Sequence, residues 1–291
     1  LNLLADSYGL SLLKSQLKKI TDSLGWRLNT YLSKRFLLRT FQNGPEVYQS
    51  WLNRTECDHA IFRDGMVIRH PPGEIGFAGL LLEIFHKGVY TGTFYQPKAN
   101  DYIVDAGANI GVFSLQIHRL CPAATVAAYE PFPENFAYLR NNLEQANAAN
   151  VIAKCKALGG ASGETLIFKI GDRSQDHRIS EAEGTDSKAK TYNGEPIRVE
   201  LMSFAELIRD TNGRRISLLK CDIEGSEWDL FRSAKKEHLE QVDRVAIEFH
   251  DNIKPGTSKA LTEILSPTHT IEYRDVSPHG YGMLYGVRKS G

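Results

Sequence analysis

The 291-residue chain has no excess of either charge: lysine plus arginine and aspartate plus glutamate each number 35. A balanced chain feels no general pull toward nucleic acid or an anionic membrane surface. No basic stripe with interleaved aromatics stands out either, so nucleic acid is not an expected partner. Long apolar runs are missing: no stretch reaches the roughly 18–20 uninterrupted apolar residues that crossing a bilayer requires. Cysteine is scarce. Cys57, Cys121, Cys155 and Cys221 stand far apart with no Cys-x-x-Cys pair, which supports neither a structural zinc site nor a disulfide framework and fits a reducing compartment. Cys155 and Cys221 fall in apolar runs and are expected as buried free thiols. No secretory leader is evident, and the expected location is the cytoplasm. What remains, 42% hydrophobic and 24% charged, is an ordinary globular composition for one domain with an appendage.

Two textures divide the chain. Residues 1–95 are mainly helical in pattern, and are expected to act as a cap or an oligomerisation surface. Leu10, Leu13, Leu17, Ile20 and Leu24 recur at helical spacing, Arg27 to Phe41 and Pro45 to Leu52 continue it, and Leu80 to His86 repeats it. Asp64-Gly65 marks a short hairpin within Ala60 to His70. Residues 96–291 instead alternate short apolar strands with helices, the pattern of a doubly wound, Rossmann-like α/β sheet. Strands are expected at Ile103 to Asp105, Thr125 to Tyr129, Asn150 to Cys155, Ile216 to Cys221 and Arg244 to Phe249. Thr270 to Val276 and Met283 to Val287 complete seven strands as an antiparallel hairpin. Between the third and fourth, residues 165–202 read as an inserted hairpin carrying a polar loop, Asp172 to Pro196, that suits either a surface insertion or a lid.

The strongest chemical signal is Val104-Asp105-Ala106-Gly107-Ala108-Asn109-Ile110-Gly111. An apolar strand ends in an acid, and a small-residue turn then opens a helix. Gly107 would let a ligand approach the backbone closely, and Gly111 would let the helix pack on the sheet. The glycines follow Gly-x-x-x-Gly, with Asn109 where a dinucleotide fingerprint has a glycine. Asp105 at the strand end would compete with a pyrophosphate for the helix N-terminus, and suits a ligand bearing a cationic ammonium instead. Glu130 ends the second strand 25 residues after Asp105, where a carboxylate can hold both hydroxyls of a ribose. Pro131 stops that strand. Small residues at Ala157 and Leu158 could receive an adenine ring.

A second cluster, Lys220-Cys221-Asp222-Ile223-Glu224-Gly225-Ser226-Glu227, runs a buried strand into acids at the same sheet edge. The fifth strand delivers Glu248-Phe249-His250 beside it. Asp222, Glu224, Glu248 and His250 are expected to converge on one crevice. His250 is the first candidate general base for a hydroxyl, with Glu224 or Glu248 orienting it or sharing the role. The same groups could hold a divalent metal, but a metal-free site is the preferred reading.

From about Leu80 to Arg288 the chain resembles the FkbM-type methyltransferases, a branch of the class I S-adenosylmethionine enzymes. The resemblance is carried by the Val104 to Gly111 turn, Tyr129-Glu130-Pro131, the Lys220 to Glu227 block, and Ile247-Glu248-Phe249-His250, and Glu83 to Tyr90 looks like the segment that precedes the cofactor loop in that family. It implies S-adenosyl-L-methionine as cofactor and O-methylation of a sugar, glycolipid or secondary metabolite. Asp105, Gly107, Ala108, Asn109 and Gly111 would surround the methionine end, Glu130 the ribose, and Asp222 would face the transferred methyl. Cys221 departs from the β-branched residue common in that family. A nucleotide-dependent oxidoreductase and a non-catalytic binding module on the same fold are the alternatives, and residues 1–95 leave a homo-oligomer open.

Overall fold

A computed structural model describes residues 25–169, 177–179 and 196–290. The expected helix through Leu10 to Leu24 lies outside the described residues, as does most of the polar loop within 172–196. Helix α1 covers residues 25–40. Helix α2 (Gly44–Asn53) has Pro45 in its first turn, where a missing N–H costs nothing. Strands β1 (His59–Ile61) and β2 (Val67–Arg69) form the hairpin around Asp64-Gly65. Helix α3 (Phe77–Leu81) continues into a wider π-helical turn, Leu82–Lys87, which ends at Gly88 in the left-handed region.

The sheet begins at β3 (Tyr102–Ala106), followed by α4 (Val112–Leu120), β4 (Thr125–Tyr129), α5 (Pro133–Gln145) and β5 (Val151–Lys154). Then come β6 (Ala157–Leu158), β7 (Gly163–Lys169), β8 (His177–Ile179), β9 (Ile197–Met202) and α6 (Phe204–Asp210). The chain returns to the sheet with β10 (Leu218–Cys221), α7 (Glu227–Arg232), α8 (Lys236–Leu239), β11 (Arg244–His250), α9 (Thr257–Leu265), β12 (His269–Arg274) and β13 (Tyr281–Arg288). The seven-stranded order is β12-β13-β11-β10-β3-β4-β5, parallel except for the pairs made by β13, as expected for a doubly wound sheet with an antiparallel last hairpin.

The chain winds outward from β3 through β4 to β5, then crosses back to lay β10 on the other side of β3. That reversal opens a crevice at the carboxyl edge between β3 and β10. All residues of β3 and β10 are buried, because helices cover both faces and alternation is not needed. Alternate positions feed two apolar clusters. Ile103, Ala128, Leu218 and Ala246 face one, which also holds Leu37, Phe41 and Phe77 from the helical region. Val104, Ala127, Leu219 and Ile247 face the other.

Two expectations are corrected. Ala157-Leu158 is not the end of the third strand: it is the separate β6, paired with β9 in a second sheet ordered β6-β9-β7-β8. Cys155 is exposed, because β5 is the edge strand of the large sheet, whereas Cys221 is buried at its centre. Among the described residues no helix is long and apolar enough to cross a membrane.

Candidate active site

Strand side chains alternate between faces, so Asp105 on β3 and Lys220 on β10, paired in register, meet on the same face. The Lys220 ammonium lies 3.2 Å from Asp105 Oδ1 and donates to the Gly107 carbonyl at 2.7 Å and the Ala106 carbonyl at 3.2 Å. Ser114 Oγ donates to Asp105 Oδ2 at 2.7 Å. Burial works against the Lys220 charge, but Asp105 and Asp222 raise its pKa above the ordinary value. Asp105 has no exposed surface and does not line the cavity. In this arrangement it secures the lysine that ties β10 to the glycine turn. Breaking such a buried pair by removing one partner costs about 3–5 kcal/mol.

The crevice holds a cavity of about 210 Å3. At one end it is lined by Gly107, Ala108, Asn109, Glu130, Pro131, Ala157 and Leu158. The Glu130 carboxylate accepts from the Asn109 N–H at 2.8 Å and the Phe132 N–H at 2.9 Å. Burial pushes its pKa up to about 7, against the lowering effect of those two donors. Asn109 Oδ1 is buried with no hydrogen-bond partner among the described residues. Gly107 (φ +76°) is demanded by the chain itself, since a Cβ there would lie 1.8 Å from the Asp222 carbonyl oxygen. Gly111 does not line the cavity: a Cβ on it would meet Leu139 of α5 at 2.6 Å, so its role is packing.

At the other end Asp222, Glu224 and Glu248 line the cavity, joined by Glu83 and Tyr90 from the helical region. The fully buried Tyr90 hydroxyl donates to Asp222 Oδ2 at 3.4 Å and Glu248 Oε2 at 3.3 Å. Burial pushes Glu248 up to about 8, and the charges of Asp222 and Glu83 add to it. Glu83 is raised in the same way by burial and by Asp222.

His250 departs from expectation. It is buried and does not line the cavity; Nδ1 donates to Glu227 Oε1 at 3.0 Å, and Nε2 lies 3.8 Å from Glu224 Oε2. Burial works against its charge, but the Glu227 hydrogen bond and the surrounding carboxylates raise its pKa to about 10. His250 therefore stands one layer behind Glu224 instead of on the cavity wall. Glu83, Tyr90 and Lys220 are cavity residues to which no role had been given; the signals were the lone lysine inside the apolar strand Leu218–Cys221 and the family-like stretch Glu83 to Tyr90.

An open, mostly parallel sheet with an acid-rimmed crevice at its reversal point defines a Rossmann-like enzyme fold. Residues 105–272, more than half of the chain, match the methyltransferase FkbM domain, and the protein belongs to that family. It is 28% identical over 227 residues to Methyltransferase 1 of Beauveria bassiana, spanning 73% of this chain and 91% of that protein. It is 26% identical over 209 residues to the 31-O-demethyl-FK506 methyltransferase FkbM of Streptomyces tacrolimicus, spanning 65% of this chain and 80% of that protein. The crystal structure of methyltransferase FkbM from Methylobacillus flagellatus KT is similar at a TM-score of 0.47 and 17% identity, over 73% of this chain and 54% of that one.

Proposed function

We propose that the protein transfers the methyl group of S-adenosyl-L-methionine to a hydroxyl of a small molecule or carbohydrate, such as a sugar, glycolipid or secondary metabolite. The observation that carries this reading is Glu130: a buried carboxylate, anchored by two backbone N–H groups, that faces a cavity crowded with acids at its far end. The residues fit the donor. Each Glu130 oxygen keeps a lone pair for a ribose hydroxyl, and Ala157 and Leu158 offer an apolar wall to adenine. The unpartnered Asn109 Oδ1 supplies an acceptor for the ammonium of the methionine end. When bound, the donor supplies an electrophilic methyl whose S–C bond breaks as a lone pair of the acceptor oxygen forms the new bond.

Glu248 is the base in this reading. It faces the cavity, the Tyr90 hydroxyl holds it, and its raised pKa lies near the working range of a proton acceptor. Glu224 lies between the cavity and His250, which makes His250 a positioning residue. Glu83 and Tyr90 come from residues 1–95, which supports a cap over the acceptor end as the role of that region. The Streptomyces relative is named for a 31-O-demethyl substrate, which favours oxygen as the acceptor atom. The scattered cysteines, none paired, favour a cytoplasmic location.

The test is calorimetry with S-adenosylhomocysteine, followed by incubation of metabolite and glycolipid extracts with a radiolabelled methyl donor. One molecule bound per chain, and label in a hydroxyl-bearing product, are expected. A folded protein that binds no S-adenosylhomocysteine refutes the reading.

A further inference from the structure

The acid end of the crevice holds an arrangement that positioning alone does not require: a histidine wedged between two glutamates beside an aspartate. One ligand atom from each of Asp222, Glu224 and His250 lies within 4.8 Å of the others. Asp222 directly follows β10, and His250 ends the neighbouring β11. Glu224 is held toward them by a left-handed backbone (φ 52°), which costs a non-glycine residue of order 1 kcal/mol or more and persists where surroundings enforce it.

Three further features point to a cation there. His250 is backed by Glu227, which has no exposed surface and whose Oε1 also accepts the N–H groups of Ile223 at 3.2 Å and Gly225 at 3.0 Å. This fixes the ring through Nδ1 and turns Nε2 toward Glu224, the carboxylate-backed geometry that orients metal-ligating histidines. Asp222 Oδ1 is shut off from solvent and has no hydrogen-bond partner among the described residues. Finally, the donor set is two carboxylates and one imidazole, a mixture that suits Mn2+ or Zn2+ better than Mg2+ or Ca2+.

We infer that Asp222, Glu224 and His250 form a binding site for a divalent cation of the Mn2+ or Zn2+ class. Ligand atoms about 2.0–2.2 Å from a shared tetrahedral ion stand about 3.3–3.6 Å from one another, so closing a set that lies within 4.8 Å needs the atoms to approach by up to about 1.5 Å. The preference for a metal-free site gives way because Glu227, the backing residue, can be recognised only in three dimensions. Because Asp222 and Glu224 line the cavity, the ion lies at its acid end. Its use in the reaction rests on the proposed methyl transfer: there it would polarise the acceptor hydroxyl and ease loss of its proton to Glu248.

The test is titration of the whole chain with Mn2+, reading free ion by electron paramagnetic resonance, with Zn2+ as competitor. One saturable Mn2+ per chain is expected. Glu224→Gln and His250→Ala should each weaken it at least tenfold, and Glu227→Gln by about 10–100-fold through loss of ring orientation. S-adenosylhomocysteine affinity, measured in parallel, should survive in all three and reports that they fold. Should His250→Ala not fold, the part-exposed Glu224 carries the test. Absence of saturable Mn2+ or Zn2+ binding, or binding unaltered in Glu224→Gln, overturns the proposal. So does an ion displaced competitively by S-adenosylhomocysteine, which would place it in the donor pocket. A chain that binds Mn2+ through these residues but no S-adenosylhomocysteine would leave the metal site standing and remove the donor reading.

Discussion

The two ends of the crevice treat a carboxylate in opposite ways. Glu130 sits at its end with both oxygens anchored by backbone N–H groups, and burial is the chief cause of its raised pKa. Glu248 shares the other end with Asp222, Glu224 and Glu83, and there neighbouring negative charge adds to burial. An anchored carboxylate of fixed direction recognises hydroxyls by geometry. A crowd of carboxylates is instead frustrated until a cation or a proton arrives. The contrast teaches a division of labour: one end holds the donor, and the other handles charge around the acceptor.

The sharpest way to break this comparison is to exchange the losses. Glu248→Gln removes the proposed base with little change of shape, and turnover should fall by about 10²–10⁴-fold. S-adenosylhomocysteine affinity, set at the other end, should move by less than about threefold. Glu130→Ala should do the reverse. Two hydrogen bonds to a charged group carry about 1.5–3 kcal/mol each, so donor affinity should weaken by about 10²–10⁴-fold. Turnover at saturating donor should stay within several-fold of wild type. Isothermal calorimetry and initial-rate kinetics on both variants separate the outcomes. If both variants lose the same quantity, the two ends are one site.

Which parts of this arrangement could be read in the chain follows from the range of the interactions. The strand ends at Asp105, Glu130, Asp222 and Glu248 were legible because each is fixed by a short apolar run and the turn after it. Glu130 and Glu248 line the cavity as their places at the sheet edge suggested. Asp105 was placed correctly on its strand but given the wrong neighbour, because strand order and register bring Lys220 opposite it only once β10 has crossed back. The setting of His250 was hidden for a similar reason: its partner Glu227 lies on a helix 23 residues earlier. β6 was misread because its hydrogen-bond partner, β9, begins at Ile197, about forty residues on. Glu83 and Tyr90 reach the site by packing of the helical region over the sheet, which the family-like stretch they bound does not by itself reveal.

A smaller perturbation sharpens the acid end. Tyr90→Phe removes a hydroxyl that bridges Asp222 and Glu248 and leaves the ring against Phe113. Losing one such hydrogen bond costs about 1 kcal/mol, or about fivefold in turnover. Donor affinity should hold. The pH at which activity half-appears should rise, because Glu248 loses a donor that favours its charged form. An unshifted pH profile with unchanged turnover would show that Tyr90 is only packing.

The smallest effect tests the isolation of Glu130. Its pKa stands at about 7, above an ordinary 4.5, chiefly because burial disfavours the charge. A ribose hydroxyl needs the ionised carboxylate as acceptor, so donor affinity should fall as pH drops through about 7. Between pH 7.5 and 6.5 the ionised fraction changes by about threefold, and the dissociation constant should rise by the same factor. Stability of the ligand-free chain has the opposite sign. A carboxylate whose folded pKa is raised contributes stability that is full below 4.5 and is lost as pH climbs through about 7. Across that window the melting temperature should fall while affinity for S-adenosylhomocysteine grows. Glu130→Gln should flatten both trends, because an uncharged side chain of the same shape has nothing to titrate. If affinity is flat from pH 6 to 8 in the unaltered chain, Glu130 is not the group that holds the donor, and the contrast between the two ends dissolves into a single acidic patch.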